Sequence, residues 1–160
     1  MLQCKTDLNA QVIAAIACNS ANSGAPSLIT AAGTGDATKV TGQSIDLLRK
    51  TNGGSGTLVT GGLTALTAAA TLTIAVELQE SADNSTWDTA EVVQAATTAA
   101  TSAGGGNVHF VVQNGILLKS RKRYIRFNIT PNLSAGATDT ALFSSVFVIG
   151  GDDILPAAST

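Results

Sequence analysis

The chain reads as all-β: a β-sandwich or jelly roll carrying an extended N-terminal arm. Three observations predict this. Several segments alternate apolar and polar residues with period two, as a strand does when one face lies on a core. Turn-forming clusters of Gly, Asn, Asp and Ser separate these segments at short intervals. No convincing long helical pattern occurs. The 160 residues fit one domain. By pattern they divide into an arm, 1–40, and a sandwich domain, 41–160.

In the arm, SANSGAPS (Ser20 to Ser27) and TAAGTGDAT (Thr30 to Thr38) carry loop chemistry. Leu28 and Ile29 can anchor it, and Val12 to Ala17 fits a helical turn or a short strand equally well. From Gln43 the pattern turns to β. Ser44 to Leu48 is a short strand, Arg49 to Gly56 a flexible loop, and Thr57 to Leu63 a weaker strand whose glycines suggest a bend. Thr71 to Glu80 is the clearest strand: Leu72, Ile74, Val76 and Leu78 share one face, and Thr73, Ala75, Glu77 and Gln79 the other. SADNSTWD is then a turn, because Asp, Asn and Ser side chains bond to nearby backbone, and TAEVV returns as a second strand.

Ala95 to Ala103 and Gly104 to Gly106 read as a mobile loop, with a short helix as the alternative for the Ala-rich part. In Asn107 to Gln113, Val108, Phe110 and Val112 face in, while His109 and Val111 face out. In Lys122 to Thr130, Ile125, Phe127 and Ile129 face in, while Tyr124, Arg126 and Asn128 face out. Ala141 to Ile149 is apolar on both faces, with Leu142, Val146 and Val148 on one and Phe143, Phe147 and Ile149 on the other. Such a strand is buried twice, either centrally or against another subunit.

Composition narrows the function. The chain is 44% hydrophobic but only 4% aromatic and 12% charged, against about 25% charged for an average soluble domain. Small side chains and few charges suit a surface that other subunits cover. The net charge of -2 argues against general nucleic-acid binding. The one basic cluster, Lys119 to Arg123, is either a solvated start of a strand or a contact patch. Cys4 and Cys18 have no CxxC partner and, with the lone His109, cannot make a four-ligand zinc site; they read as free thiols in a reducing cytosol. Val12 to Cys18 loosely echoes a lipoprotein signal, but Lys5 and Asp7 together leave the preceding segment weakly basic. No apolar run reaches the length of a membrane span.

Catalytic signatures are missing too. The Gly clusters near Gly33 and Gly53 lack the lysine and helix of a phosphate cradle, and no GxSxG elbow occurs. His109 has no evident nucleophile to activate. The adjacent pair Asp152 and Asp153 offers too few oxygens for calcium. The sequons at Asn84, Asn128 and Asn132 matter only in a eukaryotic secreted protein. The expectation is a non-enzyme with no cofactor and no metal.

Two stretches carry a resemblance. LQES followed by ADNSTW (Leu78 to Trp87) is similar to the strand and S-x-D-[NG]-S-x-W hairpin of β-sandwich structural proteins from tailed bacteriophages. Tyr124 to Gly151, with a Y-I-R-F strand, a Gly/Thr loop and a long apolar strand, resembles small capsid cement (decoration) proteins, as does SIDL at Ser44. The similarity covers roughly 43–151. It implies a protein made in the bacterial host cytoplasm that binds the exterior of the phage head, bridges major capsid protein subunits, and associates with itself, as a homotrimer. Neither nucleic acid nor membrane is a direct partner in that picture. The candidate interface residues are Trp87, Tyr124, Phe143, Phe147, Arg121 and Arg123. Trp87 is either a lid over the open end of the sandwich or an exposed anchor. The alternatives are a head–tail connector or tail component, and a carbohydrate-binding module using Trp87 and Tyr124 as a stacking platform.

Overall fold

The computed structural model describes residues 13–20, 27–47, 54–134 and 138–150. Among them are ten strands: β1 (Ile13–Asn19), β2 (Ile29–Thr30), β3 (Val40–Thr41), β4 (Ile45–Asp46), β5 (Ser55–Leu66), β6 (Thr71–Ser81), β7 (Glu91–Thr101), β8 (Gly106–Leu117), β9 (Tyr124–Leu133) and β10 (Thr140–Gly150). Sheet A runs β1-β10-β5-β8 and sheet B runs β3-β9-β6-β7, all antiparallel. β2 continues along β10 beyond β1, and β4 continues along β9 beyond β3.

The pairing is nested. The first strands, β1 and β2, pair with the last, β10; β3 and β4 pair with β9; β5 pairs with β8; β6 pairs with β7. Successive pairs alternate between sheets A and B. A long antiparallel ribbon rolled on itself gives this order, which is the jelly roll.

Period-two burial follows from the pleat. In β6, Leu72, Ile74, Val76 and Leu78 are buried, and in β9 Ile125, Phe127 and Ile129 are fully so. Sheet A answers with Leu58, Phe110, Ile116, Phe143, Phe147 and Ile149. The Phe127 and Phe147 rings meet across the two sheets, 4.9 Å between centroids and tilted by 50°. Where the sheets approach, glycine is required. A Cβ on Gly42 would stand 2.3 Å from the Ala17 carbonyl oxygen and 2.5 Å from that of Phe127. The segment instead bonds to both sheets, Gly42 N–H donating to Phe127 (2.7 Å) and Gln43 N–H to Ala17 (2.8 Å).

Three expectations change. Within 1–40, residues 13–20 and 27–40 contribute β1, β2 and β3 to the sheets, so this part is woven into the sandwich and not an irregular arm. Ile13 to Ala17, undecided in sequence, is strand because β10 supplies its backbone partners. The Ala/Thr tract belongs to β7 as far as Thr101. Ala and Thr suit either face of a strand, so an edge strand made of them shows no alternation, and its pairing with β6 shifts register three times. Residues 1–12, with Cys4, Leu48 at the end of the expected strand, residues 49–53 of the expected loop, and Asp152 with Asp153 lie outside the described residues.

Candidate interaction surfaces

The Trp turn is built by Asp83. Its Oδ1 accepts from Ser85 N–H (2.9 Å), Thr86 N–H (2.8 Å) and Ser81 Oγ (2.9 Å). These donors hold the carboxyl far below the ordinary carboxylate range. Asn84 takes a left-handed φ of 62°, which its short polar side chain tolerates. The chain therefore leaves β6 in a tight polar turn and delivers Trp87 onto the outer face of sheet B. There its ring lies over the Arg126 guanidinium, 4.1 Å from the ring centroid. One face of the half-buried Trp87 ring is thus occupied from within the chain. Arg126 Nε also donates to Gln79 Oε1 (3.0 Å), and Gln79 Nε2 donates to the Asp88 carbonyl (2.9 Å), pinning the turn. Tyr124 lies two residues along the same face, with the Arg123 guanidinium 4.8 Å from its centroid.

Three of the basic cluster's four cations are paired within the chain. Arg121 Nη1 pairs with Glu80 and Glu91, and Arg121 Nε donates to the Leu117 carbonyl (3.1 Å). Lys122 Nζ pairs with Asp88 at 2.7 Å. Arg123 grips both oxygens of Asp46, at 2.8 Å from Nη2 and 3.1 Å from Nε. The Arg121 contacts push its own pKa up and hold the Glu91 carboxyl down. These pairs tie the β8–β9 connection to β4, β6, β7 and the Trp turn. Phe143 and Phe147 are 1% and 0% exposed and face the core, so as folded they reach no neighbour.

The charged residues that lie in strands, Asp46, Glu77, Glu80, Glu91 and Arg126, all belong to sheet B. β1, β2, β5, β8 and β10 contain no Asp, Glu, Lys or Arg at all. The register puts Ile16, Val146, Val59 and Gln113 in one outward row of sheet A, with Leu142, Leu63 and His109 in another. Ile16 is 66% exposed, Val111 64% and Leu117 75%. Leu142, Val146 and Val148, expected to be buried against something, are half-covered on this outer face. Between the rows a shallow hollow of about 460 Å³ opens at Gly61, rimmed by Leu63, His109, Val111, Leu142 and Ser144. Arg126 and this outer face of sheet A escaped sequence reasoning. The signal for the second was present: four long segments without a single full charge.

Among the described residues no group of three or more His, Cys, Asp or Glu is placed to hold a metal, and no helix is long and apolar enough to cross a membrane. No protein-family model matches the chain, and no curated protein matches it. Solved structures of similar shape exist. A structure of infectious bursal disease virus, Gx strain, aligns at TM-score 0.48 and 14% identity over 90% of this chain and 33% of that one. The T13 viral particle of the same virus aligns at 0.43 and 14%, over 87% and 31%. The CBM36-1 domain of a multidomain xylanase from the hindgut metagenome of Trinervitermes trinervoides aligns at 0.44 and 10%, over 89% of this chain and all of that domain. The chain spans about a third of the viral chains it resembles. Likenesses this distant carry no functional argument, and a jelly roll hosts many functions.

Proposed function

We propose that this protein is a structural subunit of a tailed-phage virion, a capsid cement protein that binds the outside of the head and bridges major capsid subunits. One observation carries the reading: the outer face of sheet A is broad, largely apolar and without full charge, its polar positions being only neutral Ser, Thr, Asn, Gln and His, whereas the same chain places every strand charge in sheet B. A free soluble domain keeps charge on its exposed faces; a face left without it is made to be covered. The hairpin and C-terminal resemblance to phage virion proteins supports the reading. So does the internal neutralisation of Arg121, Lys122 and Arg123, which leaves them without a free basic footprint for nucleic acid.

The mechanism is mechanical and needs neither a catalytic group nor a cofactor. Nested pairing ties the first strand to the last, so pulling on either end loads a full ladder of backbone bonds. Many identical weak contacts around a head then add through multivalency. The protein accordingly acts at the capsid exterior after synthesis in the host cytoplasm.

Co-sedimentation with heads lacking the protein tests this. Binding that raises the temperature at which heads rupture is expected. Binding to purified tails or connectors alone would move the protein to that part of the virion. Failure to bind any virion part, together with retention on a glycan array that is lost in Trp87→Ala, would establish the carbohydrate module instead.

A further inference from the structure

The virion reading calls for a partner on sheet A without naming it, and the inference below rests on that reading only for that need. We propose that the outer face of sheet A is a self-association surface on which a second copy of this chain seats. Charge is the first reason. When copies of one surface meet, like charges are brought together, so a self-contact must be uncharged or balanced within itself. Sheet A meets this condition along all of its strands, with no Asp, Glu, Lys or Arg in any of them. A face without charge also has nothing with which to select a charged partner.

Size is the second reason. Four strands about 4.8 Å apart, with up to about 12 residues at about 3.4 Å each, span about 700 Å². A stable specific interface buries about 800 Å² per partner. Shape is the third. Ile16 on β1 and Leu117 and Val111 on β8 stand out at the two edges of the sheet, each more than 60% exposed. The hollow at Gly61 lies on β5, one strand in from β8. Edge aliphatics of one copy filling the central hollow of another would bury both and displace water from each. The polar face of sheet B, with Trp87, Tyr124 and the ion pairs, then stays free for a different partner.

The test is the mass of the full chain by light scattering and sedimentation equilibrium across a wide concentration range. Wild type is expected to form a dimer or trimer. The pair Ile16→Lys with Val111→Lys places cations on two exposed edge positions that the fold does not need, and should weaken association by about 100-fold or more. Gly61→Leu fills the hollow; its Cβ finds ordinary contacts, 3.4 Å from the Phe110 carbonyl oxygen and 3.6 Å from Val111 Cγ2. It should weaken association by about 10-fold or more. Thr73→Lys on the outer face of sheet B should change nothing. Circular dichroism checks that each variant folds. Independently of any variant, His109, the one histidine of the chain, lies on this face. In wild type, diethyl pyrocarbonate should modify it slowly at high protein concentration and readily on dilution.

A wild type that stays monomeric at every concentration overturns the inference. So does an oligomer that both variants leave intact, or one in which His109 reacts equally at both concentrations; another surface then holds the copies together. Head binding separates this from the wider reading. Association through sheet A without head binding ends the cement function alone, and a monomer that binds heads ends this inference alone.

Discussion

Sheets A and B turn similar inner faces to one core and opposite outer faces to their surroundings. Inside, Phe127 from B and Phe147 from A meet ring to ring, among Leu and Ile from both sheets. Outside, B carries Glu77, Arg126 and a cluster of ion pairs, while A carries Val, Leu and Gly with neutral Ser, Thr, Asn, Gln and His. Alternation lets a strand answer two demands at once. Packing sets the inward residues, and whatever covers the strand sets the outward ones. The difference between the outer faces therefore reports on partners, not on folding.

The largest expected effect tests the sameness of the inner faces. Phe127→Ala and Phe147→Ala should each cost about 3–5 kcal/mol in urea unfolding. Their double variant should show a coupling of about 0.5–1.5 kcal/mol from the shared ring contact. Additive losses would mean that the two sheets pack independently at this point.

The ion pairs that distinguish sheet B come next. Arg121→Met leaves Glu80 and Glu91 facing one another without their shared cation, and should destabilise by about 1–2 kcal/mol. Adding salt should narrow the gap between variant and wild type. A gap indifferent to salt would show that Arg121 acts through packing of its stem.

On sheet A the inner side of β1 should be as closed as that of β10. Burial pushes the Cys18 thiol up to about 12. A raised pKa favours the protonated form in the fold. Its contribution is thus complete below about pH 8.5, the ordinary thiol value, and is lost as pH rises toward 12. In a Cys4→Ser background, thiol labelling at pH 8 should proceed only as fast as the protein unfolds. Rapid labelling of folded protein would make β1 a frayed edge.

The smallest effect lies in the Trp turn. The Asp83 carboxyl is held low, so its support of the turn is present above about pH 4, the ordinary Asp value, and fades as pH falls below it. Asp83→Asn should melt slightly below wild type at pH 7, and the gap should narrow steadily as the pH falls below about 4. A constant difference would assign the effect to turn geometry and not to the charge.

Much of this was legible in the residues themselves. β6, β8 and β9 alternate cleanly, and each was found with the correct inward set, because a half-buried strand writes its burial into its period. The turn at Asp83 was legible for a local reason, since its bonds reach only from Ser81 to Thr86. β7 was read as strand only at its start, Glu91 to Val93, because the Ala and Thr that follow do not declare a face. β1 was left open because seven residues of small and β-branched type fit two local states. At the surfaces, the guanidinium groups over Trp87 and Tyr124 come from β9 and the segment before it, which no local pattern around Trp87 announces. Phe143 and Phe147 were misplaced for a subtler reason: β10 is apolar on both sides, and its own sequence cannot say which side is the core.

What the sequence by itself determined is local: which segments extend, which residues share a face, where the chain turns, and how little charge it carries. These follow from pleat geometry and side-chain chemistry within a few residues. Tertiary structure alone decided which strand lies beside which, which apolar face of β10 is inside, and that every charge held in a strand belongs to one sheet. Those facts depend on pairs as distant as Ile13 with Ile149, and pairing at that range is selected by the whole rolled ribbon, because no short segment holds both partners.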